Sequence, residues 1–293
     1  MRVAILGGSG RMGSWFARYF RMKGCDVILW ARNIERLANV ARSIGVSYAS
    51  DAAAAVRDAD IVMVSVPVSA VVETVRMVSP FVRRNALLFD VASVKGEIPD
   101  VIGREGLKHG YRAVSLHPMF GPGARGIEGQ RVIVIPLKGH EEAARWLADY
   151  FARDGAKVIF SDKETHDRMV ALTLALPHFL NIAFTAYLAD TGEEVERLME
   201  FSGTTFSIQL ILSESVLQEN PLVYADIQME NEEFKKTVKG VTCVIQQLCN
   251  VILEKDKEMF IEVFGKARRW TAKDAQKRQA YEKLYRIFEG AIN

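Results

Sequence analysis

Cysteine is scarce in this 293-residue chain: Cys25, Cys243 and Cys249 are the full set, and no two form a C-x-x-C pair. That excludes a disulfide framework and a thiolate metal site. The expectation is inert packing thiols, no bound metal, and a reducing, cytoplasmic compartment. Charge of one sign is also lacking. With 38 Lys and Arg against 36 Asp and Glu, no global field is available to hold nucleic acid, so an anionic ligand must be met locally and the expected partner is a small molecule. No apolar run is read as approaching the ~20 residues of a membrane span. The apolar stretch Val3 to Leu6 follows so closely on Met1 that no secretory leader is read before it. A soluble protein is expected, with no membrane partner.

The length suits two cores, since single cores stop growing near ~250 residues. Up to about residue 160, "VAILG", "CDVILW", "IVMVSVP", "ALLFDV", "RAVSLH", "RVIVIP" and "AKVIF" read as strands buried on both faces. Amphipathic or Ala-rich stretches alternate with them, many closed by Gly. The pattern predicts an α/β domain over 1–160, a doubly wound, mostly parallel sheet of the Rossmann type. From residue 161 the β signal disappears. Helical patterns over about 161–190, 192–218, 221–254 and 256–289 predict an all-α domain over 161–293, the first of them a long core helix interrupted by Pro177. Its apolar stripes are too rich to leave exposed and predict a homodimer through the helical domain.

Gly8, Gly10 and Gly13 form G-x-G-x-x-G between a predicted strand and a predicted helix. In that context the motif reads as a phosphate cradle, with Gly8, Ser9, Gly10, Arg11, Met12 and Gly13 against the pyrophosphate of a dinucleotide. The second strand ends in "LWARN", with no carboxylate before Glu35 to take a ribose 2′-hydroxyl. Ala31 followed by Arg32 leaves room and a fixed cation for a 2′-phosphate, so the expected cofactor is NADP or NAD, with NADP favoured. Val66 and Pro67, at another strand end, are expected to line the same cleft.

"DVASVKG" and "SLHPMFGPG" end two further strands on that edge. A histidine at a strand's carboxyl end, followed by Pro and a Gly-Pro turn, is poorly explained by packing. His117 is therefore the candidate general base, able to take a hydroxyl proton as hydride leaves the same carbon.

With "DVASVKG", "LHPMFGP", "THDRMVALTLALPHF" and "NPLVYADIQMEN", the chain resembles the prephenate dehydrogenase family of tyrosine biosynthesis over nearly its whole length. The resemblance implies oxidative decarboxylation of prephenate to 4-hydroxyphenylpyruvate. In it Ser93 bonds the substrate hydroxyl that His117 deprotonates, and His178 lines the substrate pocket. As alternatives, Ser93 caps the next helix and His178 is a hydrogen-bonded core residue. His166 also matches the family but is read as structural, beside the domain junction, and His109 and His140 as surface residues at helix ends. The family's carboxylate-gripping arginine falls at Ser215, which carries no charge, so Arg125 or Arg168 is expected to supply it. Leu174 and Ala175 also stand where bacterial relatives often carry Ser and His. These departures keep open arogenate or 4-amino-4-deoxyprephenate as the substrate, and a silent dinucleotide-binding sensor as the other class of function.

Overall fold

The computed structural model describes residues 1–274 and 279–292, with side chains to residue 290. Among the described residues, eight strands form one sheet: β1 (Arg2–Leu6), β2 (Asp26–Trp30), β3 (Ser47–Tyr48), β4 (Ile61–Val64), β5 (Leu87–Asp90), β6 (Arg112–Pro118), β7 (Arg131–Ile135) and β8 (Lys157–Phe160). Their order is β3-β2-β1-β4-β5-β6-β7-β8. The first six are mutually parallel, β7 runs antiparallel to β6, and β8 is parallel to β7. The chain walks outward from β1 in one direction and from β4 in the other. The crevice beyond the carboxyl ends of β1 and β4 is therefore the switch point at which such sheets take ligands.

Helices α1 (Arg11–Met22), α2 (Ile34–Ile44), α3 (Ala52–Val56), α4 (Val68–Val78), α5 (Ile98–His109) and α6 (Glu141–Ala152) connect the strands. Alternate strand residues point to opposite faces. Val3, Ile5, Met63 and Phe89 thus join Phe16, Phe20, Leu147 and Phe151 in one core, while Ala4, Leu6, Val62, Val64 and Leu88 join Val71, Val75 and Ile102 in another. Two cores are why these strands read as unbroken apolar runs. Each large side chain removed from water contributes about 1.5–3 kcal/mol before chain entropy is set against it. Strand β3 has two exposed residues and no apolar signal, so the sequence gives no hint of it.

The helical part comprises α7 (Lys163–Val170), a π-helical turn (Ala171–Ala175), α8 (Leu176–Asp190), α9 (Val195–Glu200), α10 (Thr204–Leu217), α11 (Pro221–Met229), α12 (Glu232–Leu253), α13 (Lys257–Thr271) and α14 (Ala280–Ile292). Residues 275–278, within the helix predicted over 256–289, lie outside the described residues. Pro177 has no N–H to give and falls in the first turn of α8, just after the π turn shifts the hydrogen-bond register.

Three expectations are corrected. The helical run Lys163–Asp190 is, by length and composition, long and apolar enough to cross a membrane, although Thr, His and Asn residues interrupt its apolar sequence. It is also no buried core helix, since Asn181 is the single buried residue of α8. Cys243 and Cys249 are exposed on α12, with only Cys25 partly packed.

The chain divides into two compact units, Met1–Val170 with Ala225–Glu232, and Ala171–Tyr224 with Glu233–Asn293. The division differs from the predicted one at residue 160 because Asp167 on α7 is bonded into the sheet unit. Its carboxylate accepts the Lys95 and Gly96 N–H groups at 2.9 Å each. Asn231 in turn donates to the Asp167 carbonyl at 2.9 Å, which brings residues 225–232 back to the first unit.

Within that unit, the ends of β5 and β6 are clipped together by a buried ion pair. Lys95 and Asp90 are both fully buried at 2.6 Å. The ammonium also donates to the Leu116 carbonyl at 2.8 Å, and Asp90 accepts from Ser115 Oγ at 2.5 Å and the Ala92 N–H at 2.9 Å. Burial pushes the Lys95 ammonium down and Asp90 pulls it back up.

Lys95→Met leaves a carboxylate buried without its cation and is expected to cost about 3–5 kcal/mol in urea unfolding, with part of the loss recovered in Lys95→Met/Asp90→Asn. At Gly7, φ is +88° and an added Cβ would stand 2.2 Å from the Ser65 carbonyl oxygen. Gly7→Ala is therefore expected to cost about 3 kcal/mol or more. Gly24, at φ +74° with no atom within 4 Å of that position, is the control: Gly24→Ala carries only the backbone term of about 1–2 kcal/mol.

Candidate active site

The loop between β1 and α1 is shaped by glycine at each turn of the chain. The Gly7 and Gly8 N–H groups both donate to the Trp30 carbonyl, at 2.8 and 3.0 Å, folding the loop over the end of β2. The tight turn falls at Gly7 rather than at Gly8, the position the motif assigns to it. The doubled glycine was the available signal. A Cβ on Gly13 would lie 2.4 Å from the Gly7 carbonyl oxygen, so helix and loop touch backbone to backbone. Gly10 differs, for its Cβ would meet only the Gly7 oxygen, at 3.2 Å. It is the extended N-cap residue of α1, with no side chain on the first N–H groups and no acidic residue in the first turn.

Those groups have no partner within their own helix and carry the positive end of its dipole. Loop and helix end fit the pyrophosphate of a dinucleotide, held by the backbone around Gly8, Ser9, Gly10, Arg11 and Met12. Around this loop, Val66 follows Ser65, whose carbonyl abuts Gly7, and Pro67 is the extended residue that opens α4. Arg32 is exposed just past β2 and is not a cap; Asn33 caps α2 by accepting the Arg36 N–H at 2.9 Å.

The second cluster lies at the carboxyl ends of β5 and β6. His117, on β6, is 3% exposed. Its Nδ1 is 2.8 Å from His166 Nε2, and His166 Nδ1 is 2.8 Å from Asp167 Oδ1. The Asp167 carboxylate is the one that holds the Lys95 and Gly96 N–H groups. Burial, then the neighbouring His166 and Lys95, hold His117 well below the usual imidazole range. Burial holds His166 down too, against the pull of Asp167. For Asp167, burial pushes upward but His166 and the two backbone donors outweigh it, and its carboxyl stays below the usual range. Two neutral imidazoles and one carboxylate result, an arrangement in which His117 can accept a proton.

Ser93 is half-buried in the β5–α5 loop, between Ala92 and Lys95, whose bonds to Asp90 and Asp167 fix that loop. Glu97, not Ser93, is the cap position of α5. Beyond His117, Trp15 Nε1 donates to the Ala124 carbonyl at 2.7 Å and Phe120 packs edge-on against the Trp15 ring, tying the Gly-Pro-Gly loop to α1.

Two histidine readings are corrected. His166 is no bystander at the junction but a direct partner of His117; their sequence separation of 49 hid the contact. His140 is buried, accepting the Ala113 N–H at 3.3 Å and donating from Nε2 to the Gly103 carbonyl at 3.1 Å. His109 is half-buried at the end of α5. Arg125 and Arg168 are both exposed, on the loop after β6 and on α7.

In the second unit, His178 stands edge-on to Tyr224 with ring centroids 4.7 Å apart. Its Nδ1 is buried with no hydrogen-bond partner among the described residues, contrary to a core histidine bonded within the bundle. Burial holds this imidazole below its usual range. Such a nitrogen is costly unless something else meets it. Ser215 is exposed on α10 and donates to the Leu212 carbonyl of its own helix at 2.7 Å.

The model of the prephenate dehydrogenase nucleotide-binding domain matches residues 16–160, and that of the prephenate dehydrogenase dimerization domain matches residues 162–266. A probable arogenate/prephenate dehydrogenase of Methanocaldococcus jannaschii is 32% identical over 284 residues, covering 96% of this chain and 63% of that protein. The T-protein of Haemophilus influenzae is 28% identical over 270 residues, covering 92% of this chain and 67% of its own. The chain thus spans about two thirds of the length of these relatives. The Aquifex aeolicus prephenate dehydrogenase solved with hydroxyphenyl propionate and NAD+ shares the fold, with a TM-score of 0.73, 24% identity, and coverage of 93% of this chain and 97% of the other. With both domain models matched in consecutive order over a parallel-sheet domain and a helical one, the chain belongs to the prephenate dehydrogenase family.

Proposed function

We propose that this protein oxidises prephenate to 4-hydroxyphenylpyruvate and CO2, with a nicotinamide dinucleotide as the oxidant. The observation that carries the reading is the buried, neutral His117 at a strand end, hydrogen-bonded to His166 and set beside the loop of Ser93. A dinucleotide held by the backbone around Gly8, Ser9, Gly10, Arg11 and Met12 would supply the hydride acceptor for the ring carbon that bears the hydroxyl. His117 accepts the hydroxyl proton, and Ser93 orients that hydroxyl by hydrogen bond. Loss of the ring carboxylate restores aromaticity, so the chain's task is to position and to manage the proton. His178, with its unpartnered Nδ1, is proposed to meet a polar group of the substrate.

Arg32 and the absence of a carboxylate at the end of β2 support NADP over NAD. The exposed apolar side chains of the second unit, Ile211, Leu212, Ile245 and Phe264 among them, support a homodimer through the helical domain, and the dimerization model matched there agrees. Arogenate is the second reading. Ser215, bonded to its own helix where the resemblance puts a carboxylate-gripping arginine, favours a substrate held differently. Arg125 and Arg168 stay the candidates for a replacement cation.

The deciding assay follows absorbance at 340 nm with prephenate and with arogenate, each with NADP and NAD. Turnover of prephenate is the expected outcome, and turnover of arogenate alone moves the assignment to the second reading. His117→Asn is expected to lower kcat by about 10²–10⁴ with dinucleotide binding retained. Because burial, the largest cause, disfavours an imidazolium at His117, the base stays unprotonated to lower pH than a free imidazole. The acid limb of kcat/KM should therefore fall below the ordinary value of about 6.5. Arg32→Ala should weaken NADP far more than NAD in a binding titration; equal losses would exclude the 2′-phosphate contact.

A further inference from the structure

We propose that His166 and Asp167 set the tautomer of His117 and share the positive charge it gains, acting as positioning residues for the base; the proposal rests on the reading of His117 given above. The hydrogen bonds leave one assignment of protons. Asp167 Oδ1 accepts the Lys95 N–H and Oδ2 accepts the Gly96 N–H, and with the His166 ring nitrogen also on Oδ1 these contacts stabilise the ionised carboxylate. His166 Nδ1, 2.8 Å from Oδ1, must then carry the proton and donate it. A neutral imidazole with its proton on Nδ1 has a bare lone pair on Nε2, and that nitrogen faces His117 Nδ1 at 2.8 Å. His117 Nδ1 is therefore the donor, and His117 Nε2 is left as the lone pair that takes a proton.

The step balances within the chain. The substrate O–H bond breaks and an Nε2–H bond forms on His117. Its Nδ1–H is strengthened toward, or passed to, His166 Nε2, and the resulting positive charge lies next to the Asp167 carboxylate. The other charged groups facing this chain are Lys95, whose ammonium is neutralised by Asp90, and Asp90 itself. Without His166, the imidazolium of His117 would lose its hydrogen-bonded link to the Asp167 carboxylate. Asp167 also holds the loop that carries Ser93, through the same N–H groups, so one carboxylate sets both the base and the hydroxyl that orients its target.

The test is a long-range 1H–15N spectrum of the full chain with 15N-labelled histidine, of which there are five residues, His117 being assigned by its loss in His117→Asn. The expected wild-type signature is a neutral His117 protonated on Nδ1, lost in His166→Leu and restored in His166→Gln, whose side-chain carbonyl is able to accept the same bond. A wild-type His117 protonated on Nε2, or a His166→Leu variant with the tautomer unchanged, overturns the proposal. These spectra need no substrate, so a chain that ignores prephenate but keeps the Nδ1–H signature counts against the substrate reading alone. With the acid that is turned over, His166→Leu is expected to lower kcat about 100-fold while KM stays within about twofold. A Leu variant within about threefold of wild-type kcat also overturns it.

Discussion

The carboxylate of Asp167 is the point on which the His117 end of the sheet unit depends. It accepts two backbone N–H groups from the β5–α5 loop and the imidazole N–H of His166, so a single side chain of α7 joins a loop, a helix and, through His166, strand β6. An acceptor with three donors is stabilised as an anion even where burial opposes it. The same contacts explain why α7 is part of the first unit although its sequence is the opening of a long helix.

Beside it lies a second anion, Asp90, with a different partner. Lys95 is drawn fully out of water to meet it and also reaches the carbonyl next to His117. Such a buried pair adds little net stability against an apolar substitute, yet it is costly to break on one side. Its effect is geometric: it fixes the spacing of the β5 and β6 ends, and with it the distance between the Ser93 loop and His117. The cationic partner also discourages a charged imidazole nearby, which favours the neutral form of His117.

The dinucleotide loop follows another logic, exclusion of side chains. Gly7 and Gly13 are demanded by backbone approaching backbone, and Gly8 by the Leu29 side chain, whereas a Cβ on Gly10, at the mouth of α1, would meet only the Gly7 oxygen. Three of the four glycines thus close the fold on itself, and the fourth leaves room for a phosphate.

What the sequence determined by itself was local and periodic. Strand runs buried on both faces, glycine-closed helices and the strand–glycine–helix order dictated the parallel sheet, because each depends on neighbours a few residues away. The places of His117 on β6 and of Ser93 in the loop after β5 were legible through strand position. The tertiary structure alone decided who partners whom: His166 reaches His117 across 49 residues, Asp167 reaches the Lys95 loop across 72, and His140 turns inward to the Gly103 carbonyl. No periodicity encodes such contacts, since they arise from the crossing of elements that the chain brings together only once folded. The same holds for α8, which looked like a core helix because composition reports how apolar a helix is, and not which face another element covers.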